Sequence, residues 1–296
     1  MRDKRFFMRV HPLPALLFFV AVLTVTLWGT NPVVSAVSLF CAVLFCAFIY
    51  GAKSTAESVG YTLPLMVLVV VVNGLFVHRG ETYLFFLNDN PVTLEAILYG
   101  VGMSVTFAAV YFWCRCLTAV MTTDKWIFLF GKVLPKLGAV LALSVAFVPK
   151  FKRRYKQIDS AQRTLGVYDG KGIVDKLRYK MRVLSILLTN VFESGVTTAD
   201  SMRARGFGMG GRSTYSPYEF AASDILIALA SVVLSVAAVV VFALLGNAFV
   251  YYPTVSALKF ETWDVVCLIC ATLLFVLPII CEIEDDLLWR SLRRRI

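Results

Sequence analysis

Acidic residues are scarce in this chain of 296 residues: 19 Asp and Glu stand against 29 Lys and Arg, for a formal net charge of +10. Charged residues of both signs make up only 16%, while 59% are apolar, a composition too dry for an ordinary soluble domain. Histidine is nearly absent, with only His11 and His78. No G-x-S-x-G, H-E-x-x-H or Walker A pattern occurs, so the nucleophile elbow, the zinc-binding helix and the P-loop have no counterpart. The seven cysteines all lie within or beside apolar runs. Cys267 and Cys270 have metal-site spacing, but without a second cluster or a nearby histidine they read as small apolar filler. Repeats of solenoid length and low-complexity linkers are missing too. Little is left for catalysis.

What the chain does have is hydrophobic length. Several apolar windows approach or exceed the roughly 18–20 residues that span a hydrocarbon core. The run from Val67 to Val72 does not alternate as a barrel strand must. The fold class is all-α: a polytopic membrane protein with about six transmembrane helices and an inserted cytosolic helical region. The basic residues are unevenly placed, 26 of the 29 falling in residues 1–12, 51–60, 122–218 and 290–296. With those segments cytoplasmic, the distribution obeys the positive-inside rule and puts both termini inside. The surplus charge then reports topology, and no nucleic-acid partner is needed to explain it. The start, Arg2 to Arg9 before an apolar run, resembles a signal peptide. No small-residue cleavage pattern follows, so it is expected to be retained.

Three regions follow. Residues 1–122 carry four spans: 13–29, 33–50, 61–77 and about 96–121. The stretch from Lys53 to Gly60 reads as a short polar connection, and the stretch through Asn88-Asp89-Asn90-Pro91 as an outside loop. Thr93 reads as the N-cap of the fourth span, with Glu95 in its first turn. Residues 123–218 are cytosolic or interfacial. Within them 126–149 is apolar but interrupted, and Leu137 to Val148 is too short to cross. Pro149 is expected to precede a basic helix ending near Leu165, and Gly166 to Gly172, with Gly170, to form a turn. A second helix over 173–195 is expected to break at Gly195, and a last one, about 197–206, to stop at the glycines from Gly206 to Gly211. Residues 219–296 carry spans at 220–246 and 263–281 and a basic tail.

Ionisable groups at membrane depth are functional candidates by default. Arg115 is the clearest, and its bland alternative is snorkelling to the interface. Asp224 and Asp264 suit the starts of their helices. Glu282, Glu284, Asp285 and Asp286 read as a solvated face. The glycines from Gly206 onward could cradle a phosphate, but they follow a helix instead of leading into one, which favours a helix exit.

The two basic helices remain. Each ends in a short run with a small residue, an arginine and a glycine: Ala161-Gln162-Arg163-Thr164-Leu165-Gly166 and Arg203-Ala204-Arg205-Gly206. Arginine offers a planar fork of donors suited to carboxylates and carbonyls. A small neighbour permits close approach, and a terminal glycine leaves the arginine at the helix tip. On chemistry alone such helices fit insertion into a protein groove and binding to membrane lipid equally well.

These stretches carry a resemblance. Ala204-Arg205-Gly206, within Ala199 to Gly208, resembles the second Ala-Arg-Gly signature of the transmembrane coupling (T) components of energy-coupling factor transporters, the CbiQ/EcfT-like family. Ser160 to Gly166 is similar to the surroundings of the first signature. Asn73 to Gly80, and Thr93-Leu94-Glu95-Ala96 with Tyr99-Gly100, are similar to other family segments. The likeness runs over roughly residues 10–245. It departs at the first signature, where Leu165 stands in place of the motif arginine and Arg163 lies two residues earlier, on another side of the helix. The sixth span, 263–281, lies beyond it.

The resemblance implies a non-enzymatic subunit of an ABC-type importer in a prokaryotic plasma membrane. It implies two ATP-binding-cassette ATPase subunits docked on the basic helices, with ATP and Mg bound by those subunits and no cofactor on this chain. A membrane substrate-binding (S) subunit would capture a vitamin or metal ion and lie against the membrane helices. Docking would rest on Ala204, Arg205, Gly206 and Arg203 at the second site, and on Ala161, Arg163, Leu165 and Gly166 at the first. Arg205 would be the main anchor and Arg163 a partial substitute. The first contact would be weaker, or made to an ATPase whose pocket has changed in parallel, and Leu165→Arg is expected to be tolerated or to tighten assembly. The rival class is a stand-alone secondary transporter or intramembrane enzyme. The former needs inverted repeats and ionisable groups at mid-membrane; the latter needs a nucleophile or metal cluster.

Overall fold

The computed structural model describes residues 6–29, 31–77, 79–87, 90–166, 172–207, 209, 218–245, 249, 251–252 and 262–293. Gly170, the glycines at 208, 210 and 211, most of the loop after 245 and the tail beyond 293 lie outside the described residues. The order is α1 (Phe6–Arg9), α2 (Pro12–Trp28), α3 (Pro32–Tyr50), α4 (Ala52–Phe76), β1 (Tyr83–Leu87), β2 (Asn90–Thr93), α5 (Leu94–Val120), α6 (Thr123–Val133), α7 (Pro135–Thr164), α8 (Ile173–Ala204), α9 (Ala222–Leu245) and α10 (Thr262–Arg293). Five helices, α3, α4, α5, α9 and α10, are long and apolar enough to cross a membrane, and α2 is a shorter apolar helix of 17 residues. The protein is an all-α polytopic membrane protein.

The chain divides into two compact units, residues 1–126 with 218–296, and residues 127–217. The membrane unit is built on aromatic packing. Trp113 of α5 is fully buried, with the rings of Phe18, Phe19, Phe45 and Phe275 at 6.0–6.5 Å. Its indole N–H donates to Ser38 Oγ at 3.0 Å, and Ser38 shares a 2.9 Å bond with Thr26, which donates to the Val22 carbonyl. Every member of this buried polar chain has a partner, as a low-dielectric interior requires.

Several local expectations need correction. The polar stretch 53–60 is helical, the start of α4. Its hydroxyls bond back onto the helix, Thr55 to the Gly51 carbonyl at 3.1 Å, Ser58 to Ser54 at 2.9 Å and Thr62 to Ser58 at 2.8 Å, so polarity there carries no demand for a loop. The stretch expected to be an outside loop contains a hairpin, β1 antiparallel to β2. Tyr83-Leu84-Phe85-Phe86-Leu87 is apolar at every position, so alternation gave no strand signal. Thr93 does cap α5, its hydroxyl accepting from Ala96 N at 3.4 Å. Glu95, 2% exposed, accepts from Thr82 N and Oγ1 and ties the hairpin's approach to α5.

Neither expected breaker breaks its helix. Pro149 lies inside α7, so 137–148 and the basic stretch after it form one helix of 30 residues. Gly195 lies inside α8, a helix of 32 residues. Proline removes one donor and glycine costs entropy, but neither stops a helix fixed on both flanks. Beside Gly195 the hydroxyls of Thr197 and Thr198 bond the carbonyls of Glu193 and Ser194. The last span is also longer than expected, α10 continuing to Arg293 with Pro278 inside it.

The acidic end of α10 is not simply a solvated face. Glu282, 6% exposed, accepts from Phe7 N at 3.2 Å, and Asp285 pairs with Arg9 at 2.5 Å. The N-terminal segment and the later half of α10 therefore meet at one end of the membrane unit.

Candidate docking surface

In the unit of residues 127–217, α7 and α8 pair antiparallel. The Tyr179 hydroxyl near the start of α8 reaches Asp159 near the end of α7, and Arg154 Nη2 donates to Asn190 Oδ1 at 3.4 Å farther along. Among the described residues of this unit only Gly138, Tyr179 and Val183 are buried. The pair is a frame for presenting side chains, with little core of its own. Antiparallel pairing sends the C-terminal ends of the two helices to opposite ends of the frame. At about 1.5 Å per residue the 15 steps from Lys150 to Leu165 alone span roughly 22 Å.

The end of α8 is closed by a complete glycine cap. Gly206 has φ +76°, its N–H donates to the Arg203 carbonyl at 2.9 Å, and Phe207 N donates to the Met202 carbonyl at 2.9 Å. This doubly bonded stop is the Schellman arrangement, which needs a residue content with positive φ. Arg205 is the C-cap residue; Arg203, Ala204 and Arg205 are all exposed. Arg205 also lines an open polar groove of about 580 Å³ with Lys150 and Arg154 from α7 and Glu193, Thr197 and Ser201 from α8.

The end of α7 is likewise stopped at a positive-φ glycine, with different chemistry. Gly166 has φ +69° and its N–H donates to the Arg163 carbonyl at 3.1 Å, while Leu165 N donates to the Ala161 carbonyl. Leu165 is 71% exposed. Arg163 is already paired: its Nε contacts Asp159 Oδ2 at 3.0 Å, and Tyr179 donates to the Asp159 carboxylate at 2.9 Å. Tyr179, then Asp159, hold the Arg163 guanidinium above its ordinary pKa. Arg163 is thus tied to Asp159 on its own helix while its side chain stays 65% exposed, and Leu165 stands exposed beside it at the tip. Ala161 is exposed beside it.

A second groove, apolar and about 430 Å³, is lined by Phe147 and Phe151 of α7 and by Val191, Phe192, Gly195 and Val196 of α8. A methyl group added to Gly195 would meet nothing within 4 Å.

Reading the sequence found both tips, but not the Lys150–Arg154 contribution to the Arg205 groove or the Tyr179–Asp159 pair. Only the i, i+4 spacing of Asp159 and Arg163 could have signalled that Arg163 was engaged. In the membrane unit Arg115 is held in place: Nη2 donates to Ser54 Oγ at 3.0 Å, and the guanidinium lies 4.5 Å from the Tyr50 ring centre. Among the described residues no group of three or more His, Cys, Asp and Glu could hold a metal ion.

Residues 4–216 match the family model described as CbiQ, cobalt transport protein. The energy-coupling factor transporter transmembrane protein EcfT of Streptococcus thermophilus is 27% identical over 225 residues, covering 71% of this chain and 84% of that protein. The protein of the same name from Streptococcus equi subsp. equi is 24% identical over 241 residues, covering 77% of this chain and 89% of that protein.

Proposed function

The chain belongs to the CbiQ cobalt transport protein family, the transmembrane components of energy-coupling factor transporters, and on that premise we propose that it couples ATP hydrolysis by two cytosolic ATPase subunits to uptake through a membrane-embedded substrate-binding subunit. It would lie in a prokaryotic plasma membrane with both termini inside; the meeting of Phe7 and Arg9 with Glu282 and Asp285 supports only their lying on one side. ATP and Mg²⁺ belong to the ATPase subunits, and this chain binds no cofactor. The cargo, a vitamin or a metal ion, is chosen by the substrate-binding subunit.

The observation that carries the docking assignment is the end of α8. Its glycine cap satisfies the last backbone groups internally, so the exposed Arg205 guanidinium is available to a partner's carboxylate or carbonyls. Lys150 and Arg154 make the adjoining groove electropositive and suited to an acidic rim. The α7 end docks differently, through Leu165. The two ATPase subunits are therefore non-identical in the pockets they present.

Purification of the tagged chain in mild detergent should bring down two ABC-type ATPases and a small membrane protein. Arg205→Glu should insert normally and lose the ATPases. Their recovery at wild-type yield with that variant refutes the docking assignment.

A further inference from the structure

The chain leaves the membrane unit after Trp126 and returns to it at Tyr218. Both crossings are tied to one short segment, residues 7–11. At the outgoing crossing Lys125, only 2% exposed, donates from Nζ to the Val10 carbonyl at 3.0 Å. At the returning crossing the His11 imidazole, 3% exposed, stacks on Phe220 with ring centres 3.7 Å apart and meets Tyr218 edge-on at 6.3 Å. Asp224 Oδ2, at the start of α9, accepts from His11 N at 3.4 Å and from Ala221 N at 3.3 Å.

The segment is itself fixed in the bundle. Phe7 is fully buried, with Phe18 at 5.2 Å and Phe45 at 5.6 Å, and its N–H is held by Glu282. Arg9 is held by Asp285. Residues 7–11 thus bring together α2, α3, α9, α10 and both crossings. The arrangement is costly, because burial pushes the Lys125 ammonium down to about 8 while Asp224 pulls it the other way. An apolar residue would pack there without that cost, but it would not hold the Val10 carbonyl.

We propose that residues 7–11 are the abutment through which movement of residues 127–217 is delivered to the membrane helices, with His11, Lys125 and Asp224 as positioning residues for coupling. The inference rests on the reading given under Proposed function. Displacement of either crossing is passed to α2, α9 and α10 together, because neither crossing can slide without breaking a buried contact. Loosening the abutment should leave the ATPases bound and hydrolysing while transport fails.

The test uses the complete complex in proteoliposomes, with ATP hydrolysis and substrate uptake measured on the same preparation. In Lys125→Met and His11→Ala the ATPases should co-purify as in wild type, and uptake per ATP should fall roughly 3- to 30-fold. Lys125→Gln keeps a donor for the Val10 carbonyl and His11→Phe keeps the ring stack, so both should retain most of the coupling. Unchanged uptake per ATP in Lys125→Met and His11→Ala overturns the proposal. If those two fail to assemble, Phe220→Leu removes only the stack, and an unchanged ratio there overturns it equally. Failure of the wild-type chain to bring down ATPases would instead overturn the docking assignment.

Discussion

The helices α7 and α8 are alike in almost everything except their tips. Each is about thirty residues long, each carries an interior residue that reads as a breaker, and each is stopped by a glycine with φ near +70°. At the α8 tip Arg205 is exposed beside a basic groove. At the α7 tip Leu165 is exposed, and Arg163 is paired with Asp159 across the seam from Tyr179. The backbone rule is shared and the side-chain chemistry is not. A common stop therefore specifies where a docking residue sits, and the residue at the C-cap specifies what it docks into.

The largest expected effect comes from breaking the charged tip. Arg205→Glu reverses charge beside Lys150 and Arg154 and should abolish ATPase recovery in the pull-down, a loss on the order of 100-fold or more if hot-spot arginines are a guide. Next comes the apolar tip. The exposure of Leu165 changes the expectation for Leu165→Arg: a pocket matched to leucine should be apolar, and a charge placed there should weaken docking roughly 10-fold. Tighter assembly in that variant would mean that the pocket keeps an acidic group. The smallest effect belongs to the shared scaffold. Gly195→Ala meets open space within a helix, so it should stabilise the protein by about 0.5–1 kcal/mol in thermal or denaturant unfolding. A loss of transport in that stabilised variant would show that a partner packs against the glycine.

Much of this was legible because the signals were local. The long apolar runs, the Thr93 cap and the stop at Gly206 depend on neighbours within a few residues, and the structure places all three as expected. The errors arose where tertiary packing or side-chain back-bonding overrode a local rule. Pro149 and Gly195 look like breaks because propensity ignores what fixes the flanks. Residues 53–60 look like a loop because composition ignores hydroxyls that bond their own helix. Glu282 looks solvated because only the fold brings Phe7 to it, from 275 residues away. The Asp159–Arg163 pair is local, at i,i+4, and only the Tyr179 hydroxyl that joins it comes from a distant stretch of the chain.

The central claim is that one tip docks through arginine and the other does not. The most direct measurement is the affinity of the ATPase subunits for Arg163→Ala and Arg205→Ala, compared side by side with the wild-type chain in detergent. Arg205→Ala should weaken binding on the order of 30-fold, while Arg163→Ala should stay within about 3-fold of wild type. Equal losses in the two variants would contradict the account.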